Sequence, residues 1–215
     1  MAVIEEISEF LQKGRAKNVK VLVQQAIDEG YDPKAILNEG LLSGMMIIGE
    51  KFKNNEVFVP EVLVAARAMN AGLEILEPKL VEVGNKPVGK AIIGTVKGDL
   101  HDIGKNLVAM MLKGAGLEVH DIGVDAPAET FIEKAEEIGA DIICMSALLT
   151  TTMPSMQDVI EVMKAKGVRD KYIVMVGGAP VNQSFSDQIG ADYYTPDAAT
   201  AAETAKKAIQ LKNAS

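Results

Sequence analysis

Two periodicities divide the chain. Up to about residue 82, apolar residues recur at helical spacing, most clearly in Leu41, Met45, Ile48 and Phe52, which fall at i, i+4, i+7 and i+11. Asp32 before Pro33 is a helix start signal, an N-cap followed by a proline at the first helical position, and Pro60-Glu61 can open a helix in the same way. The pattern predicts four helices near 3–12, 16–29, 33–53 and 60–80, suited to a small antiparallel bundle. Asn85 to Gly89 reads as a linker, so the expected division is a helical cap over 1–84 and a second domain over 90–215.

From Lys90 the pattern becomes short β-branched runs alternating with amphipathic segments. Five strands are predicted: Ala91–Val96, Leu117–Ile122, Asp141–Ser146, Tyr172–Val176 and Asp192–Thr195. Helical segments near 104–115, 128–138, 155–166, 182–189 and 197–211 separate or follow them, with Gly116, Gly139, Gly167 and Gly190 where C-caps belong. Strand and helix in alternation imply a parallel sheet covered on both faces, a doubly wound, Rossmann-like α/β domain of the flavodoxin-like kind.

Composition narrows the function. The 215 residues carry 22 Lys and Arg against 30 Asp and Glu, a formal charge of −8, with no basic block to track phosphates, so nucleic acid is not an expected partner. No apolar run approaches the roughly 20 residues that span a bilayer, so no membrane association is expected. Glu5, Glu6 and Glu9 replace the basic start of a signal peptide, and a cytoplasmic location is the expectation. The lone Cys144 lies in an apolar run and reads as a buried thiol rather than a nucleophile.

In open α/β sheets, ligands bind beyond the carboxyl ends of the strands where the strand order reverses. Three loops fall on that rim: Lys97 to Gly104 after the first strand, Ser146 to Thr152 after the third, and Gly177 to Pro180 after the fourth. With only His101 and His120, the chain cannot build the usual zinc site. A macrocycle is less demanding, because it supplies four equatorial nitrogens and leaves one axial position that a single imidazole can fill. Asp99, two residues from His101, is placed to hold the other ring nitrogen. His120 reads as a satisfied edge histidine, and Asp125 with Pro127 as a turn.

Asp99-x-His101-x-x-Gly104, then Ser146-x-Leu148, then Gly177-Gly178 resembles the cobalamin-binding domain in which a histidine replaces the cofactor's own base below cobalt. The helical half extends the resemblance. Gly49-Glu50-Lys51-Phe52, Phe58-Val59-Pro60-Glu61 and Ala65-Ala66-Arg67 are similar to the cap of methyl-carrying corrinoid proteins and methionine synthase. The resemblance implies cobalamin or a related corrinoid, methylcobalamin when loaded. It makes His101 the axial cobalt ligand, Asp99 its partner and Ser146 the outer end of the hydrogen-bond chain, so that release of the ligand can couple to proton uptake. Asp102, Ile103, Gly104, Leu148, Thr150, Gly177 and Gly178 would line the nucleotide tail, and Phe52, Val59 and Met45 would meet the cofactor from the cap. At the second of these positions the family commonly has Leu, so Val59 departs slightly.

The implied function is that of a methyl carrier in anaerobic one-carbon metabolism, without activity alone. Its implied partners are a substrate-specific methyltransferase, a corrinoid:acceptor methyltransferase delivering to a tetrahydrofolate or a thiol, and a reductive activase. Two cobalamin-based alternatives share the domain. An isomerase subunit using adenosylcobalamin does not need the cap, and a light-sensing regulator usually carries a DNA-binding module and tryptophan, which is absent here. A flavodoxin or phospho-receiver would leave the helical half unexplained.

Overall fold

A computed structural model describes residues 2–214, which form two compact units, the first of residues up to 86 together with 114–116 and the second of residues 87–113 and from 117 onward. The first unit holds helices α1 (Ala2–Gln12), α2 (Ala16–Asp28), α3 (Pro33–Ala35), α4 (Ser43–Lys53) and α5 (Val59–Glu82). Asp32 caps α3 by accepting the Lys34 amide at 3.1 Å. Between α3 and α4, Ile36–Leu42 runs as a π-helix rather than as part of one α-helix over 33–53. Leu41 lies inside this widened segment while Met45, Ile48 and Phe52 follow in α4, so a spacing that starts at Leu41 carries little sign of it. The π segment packs against α1 at Gly40, where a Cβ would lie 3.1 Å from Ile7. Ile7, Leu11, Val23, Leu41, Ile48 and Met69 are among the buried side chains of this unit.

The second unit is built on a five-stranded sheet of β1 (Lys90–Thr95), β2 (Glu118–Asp121), β3 (Ile142–Ser146), β4 (Ile173–Gly177) and β5 (Tyr193–Tyr194). All pairings are parallel and the order is β2-β1-β3-β4-β5, the flavodoxin-like arrangement. Helices α6 (Ile103–Gly114), α7 (Ala128–Ile138), α8 (Pro154–Ala165), α9 (Gln183–Ile189) and α10 (Ala198–Ala214) accompany it, with a 3₁₀ turn at Arg169–Lys171.

Ile92, Ile143 and Val174 share one face of the sheet and join Phe131, Ile132, Val159 and Ile160 of α7 and α8 in a single core cluster. Their neighbours Ile93, Cys144 and Met175 point to the opposite face and are buried as well. β5 is shorter than the predicted Asp192–Thr195 because Asp192 is otherwise engaged, its carboxylate accepting the Val174 amide at 2.7 Å and pairing with Arg169 at 3.0 Å. No helix among the described residues is long and apolar enough to cross a membrane.

Candidate functional site

The strand order reverses between β1 and β3, and Thr95 and Ser146 lie opposite each other at their carboxyl ends. The loop leaving β1 turns sharply at Gly98 (φ +85°), and Asp99 follows with its side chain fully buried. One carboxylate oxygen, Oδ1, accepts the His101 amide at 3.1 Å and the His101 ring Nδ1 at 2.7 Å. The other, Oδ2, accepts the Leu148 amide at 2.7 Å, the Thr152 hydroxyl at 2.7 Å and, at a longer 3.3 Å, the Leu149 amide.

Burial alone would raise the Asp99 pKa. The bonds from Leu148, Thr152 and His101 outweigh it and hold the carboxyl well below the usual carboxylate range. An ionised carboxylate only accepts hydrogen bonds, so the proton of a neutral imidazole must sit on Nδ1. The lone pair is thereby fixed on Nε2, which has no partner among the described residues, on a side chain that is 52% exposed. A carboxylate behind the ring also raises its basicity as a metal ligand.

Around this imidazole stand apolar side chains open to solvent, Leu100 at 71% and Ile103 at 77% exposure, with Leu148 and Leu149 also exposed. Such a rim suits a broad apolar ring system resting on a single nitrogen donor, and a corrinoid's demands are met by the residues present. Gly104, in the first turn of α6, faces open space, since a Cβ there would meet nothing within 4 Å. Asp102 is exposed and accepts the Asn106 side-chain amide at 3.1 Å rather than capping a backbone group. Thr150 is exposed as well.

Ser146 departs from its expected role. As the last residue of β3 it gives its carbonyl to the Val96 amide at 3.0 Å, and its hydroxyl makes no hydrogen bond among the described residues. The outer hydroxyl of the chain is Thr152, six residues on, which is the one buried member of Thr150-Thr151-Thr152. A strand-end side chain stands off the sheet, whereas the β3–α8 loop folds back and brings its amides and Thr152 to the carboxylate.

Gly177 and Gly178 lie against neighbouring backbone. A Cβ at Gly178 (φ +132°) would fall within 1.9 Å of the Ala147 carbonyl oxygen, and one at Gly177 would lie 3.1 Å from that of Thr195. Gly178 therefore needs glycine for backbone packing before any ligand is considered, whereas a side chain at Gly177 would require the Thr195 carbonyl to give by a few tenths of an ångström.

In the helical unit, α4 ends in a Schellman turn, with Asn55 left-handed (φ 58°), the Glu56 amide on the Lys51 carbonyl at 2.8 Å and the Asn55 amide on that of Phe52 at 3.0 Å. α5 then opens with the Phe58 amide held by Glu61 at 3.0 Å. Phe52 and Val59, half-buried, flank this connection. Met45 is 1% exposed and lies in the packed interior, not on an open surface.

Two candidates of lesser weight behave as expected. His120 is satisfied by Glu118 at 2.7 Å, and burial pushes the Cys144 thiol up to about 12. No group of three or more metal-binding side chains occurs among the described residues.

The switch point of the parallel sheet thus presents one imidazole whose Nδ1 is held by a buried carboxylate, on a half-exposed side chain. Family models described as B12 binding domain match residues 89–205 and, for the helical half, residues 3–77. A corrinoid protein of Desulfitobacterium hafniense is 43% identical over 99% of this chain and 97% of its own length. Dimethylamine corrinoid protein 2 of Methanosarcina acetivorans is 44% identical over 96% of this chain and 95% of its own. Among solved structures, the methanol:cobalamin methyltransferase complex MtaBC from Methanosarcina barkeri superposes with a TM-score of 0.88 at 30% identity, covering 97% of this chain and 80% of that one. The chain belongs to the B12-binding corrinoid proteins of methyltransferase systems. Its cofactor class is accordingly cobalamin or a related corrinoid.

Proposed function

We propose that the protein carries a methyl group between a substrate-specific methyltransferase and a second methyltransferase that delivers it to a pterin of the tetrahydrofolate type or to a thiol. When bound, the corrinoid supplies a cobalt centre that accepts and releases the methyl group, and a reductive activase restores it after accidental oxidation. His101 is the axial ligand in this reading, Asp99 fixes its tautomer, and Thr152 with the Leu148 amide keeps Asp99 ionised. Leu100, Ile103, Leu148 and Leu149 would receive the apolar edge of the ring and exclude water around the His101 imidazole. Phe52 and Val59 are the side chains proposed to shield the cofactor from the helical unit. Because a relative carries the name dimethylamine corrinoid protein, methylated amines are the first donors to try.

The observation that carries the proposal is the free Nε2 of a ring whose Nδ1 is held by a buried carboxylate. The test is to load the chain with hydroxocobalamin, desalt it, reduce the cobalt(III) by one electron with a mild chemical reductant and record cobalt(II) electron paramagnetic resonance for the parent and His101→Ala. Retained corrinoid with nitrogen splitting that survives isotopic labelling of the cofactor's own base, and disappears in His101→Ala, is expected. Identical spectra for the two proteins would remove His101 from the metal.

A further inference from the structure

The loop that carries Asp99 and His101 is gripped from a segment outside the ligand motif. Asp125, in the β2–α7 connection, brackets Asp99 on both sides. Its carboxylate accepts the Gly98 amide at 2.7 Å, and its own amide donates to the Asp99 carbonyl at 2.9 Å. Both residues of this exchange have left-handed backbones, Gly98 at φ +85° and Asp125 at φ 51°.

Gly98 is the conformationally free joint immediately before Asp99, and nothing in its own side chain limits it. Asp is one of the few non-glycine residues that tolerate the left-handed region, and it persists there when the surroundings fix it. Glycine would satisfy the backbone at Asp125 more easily but would lose the acceptor that locks Gly98.

The segment behind Asp125 is itself anchored. Lys105, in the first turn of α6 and 3% exposed, is ion-paired with Asp121, whose other oxygen accepts the Gly123 amide at 2.8 Å. Gly123 in turn receives the Thr95 amide at 3.0 Å, and the Ala126 amide returns to the Thr95 carbonyl at 3.0 Å. Residues 121–126 thus hold the peptide groups before and after Asp99 through Asp125, and the helix that follows His101 through Asp121 and Lys105.

The geometry points to Asp125 as a positioning residue for the axial ligand: by locking Gly98 and the Asp99 carbonyl, it sets how well His101 Nδ1 meets Asp99 and therefore how firmly Nε2 is presented. This rests on the assignment of His101 as cobalt ligand, and deepens it. The pairing of Asp99 with His101 can also be read without the cofactor.

The test uses the full chain with Asp125→Asn, Asp125→Gly and Asp125→Ala. Asn keeps an acceptor and tolerates the left-handed backbone, Gly keeps only the backbone freedom, and Ala keeps neither. In the corrinoid-free protein with labelled histidine, nitrogen NMR reads the His101 tautomer. The Nδ1-protonated form should dominate in the parent and in Asp125→Asn, and should give way to a mixture in Asp125→Gly. In the loaded protein, the ratio of histidine-bound to histidine-free cobalt(II) should fall roughly threefold to tenfold in Asp125→Gly, the scale of one ordinary hydrogen bond because the lost bond acts on the ring only through Asp99, with Asp125→Asn restoring it. A folded Asp125→Gly protein with the parent's tautomer and the parent's ratio would overturn the inference. If Asp125→Ala does not fold, the Gly and Asn pair still decides. If the parent shows no histidine-bound cobalt, the ligand assignment fails, and the tautomer measurement alone decides whether Asp125 positions the ring.

Discussion

Thr152→Val isolates one hydroxyl from a buried anion. The side chains are nearly the same shape, so the packing of this buried residue is preserved while the 2.7 Å bond to Asp99 Oδ2 is lost. That oxygen then keeps the Leu148 amide at 2.7 Å and the longer contact from Leu149. A hydrogen bond to a charged group contributes about 1.5–3 kcal/mol, so a loss of about 2 kcal/mol is expected. For a chain of this size it corresponds to a drop of about 4–8 °C in Tm. The pH dependence identifies the anion as the cause. Asp99 titrates below its ordinary value in the folded chain, so its contribution is complete above the ordinary value and is lost as the pH falls through the folded one. Removing the Thr152 bond raises the folded value. The stability gap between parent and variant should therefore be full near neutral pH and close only in strong acid. Denaturant unfolding over a pH series, with Thr152→Ser as the variant that keeps the hydroxyl, provides the assay. A gap below about 0.5 kcal/mol near neutrality, within the scatter of ordinary surface substitutions, would refute the placement of Thr152 on this carboxylate, as would an equal loss in Thr152→Ser.

Other substitutions separate packing from ligand space. Gly178→Ala should fail to fold or lose several kcal/mol, outweighing the ~1 kcal/mol that such an exchange gains at compatible positions, because its Cβ overlaps the Ala147 carbonyl; soluble yield and thermal melts read this directly. Gly104→Ala should fold like the parent, since its Cβ meets no protein atom, yet retain less corrinoid after desalting; unchanged retention would remove Gly104 from the cofactor's edge. Cys144 should resist alkylation at mildly alkaline pH in the folded chain and react once denatured, as mass spectrometry can follow, because burial holds its thiol protonated.

The parallel sheet was legible because buried parallel strands write themselves as β-branched runs between glycine-terminated helices, whereas the strand order that places the Asp-x-His loop at the switch point is not written in those runs and matches the flavodoxin-like order expected for the domain. The pairing of Asp99 with His101 was legible too, since two residues of separation keep both on one loop. What lay beyond sequence was long-range loop geometry. Four hydroxyls, those of Ser146, Thr150, Thr151 and Thr152, lie within seven positions, and only the fold-back of the β3–α8 loop selects Thr152. Asp125 reads locally as a turn residue, and its hold on Gly98 spans 27 positions that no periodicity connects. The π segment stayed hidden for a different reason: only Leu41 of the apolar series falls inside it, and Met45, Ile48 and Phe52 lie in the regular helix beyond.

The buried carboxylate draws its donors from two loops about 50 positions apart, and this sets an order of events in the life of the molecule. In an unfolded chain Asp99 and His101 are neighbours but not partners, and either ring nitrogen can carry the proton. Only after β1 and β3 pair do Leu148 and Thr152 reach Asp99 and fix which nitrogen is free. On the proposed assignment of His101, the ability to hold a corrinoid through histidine would be acquired only once translation has passed Thr152. A nascent or truncated chain ending before that point would display the Asp-x-His motif intact and still present no defined ligand.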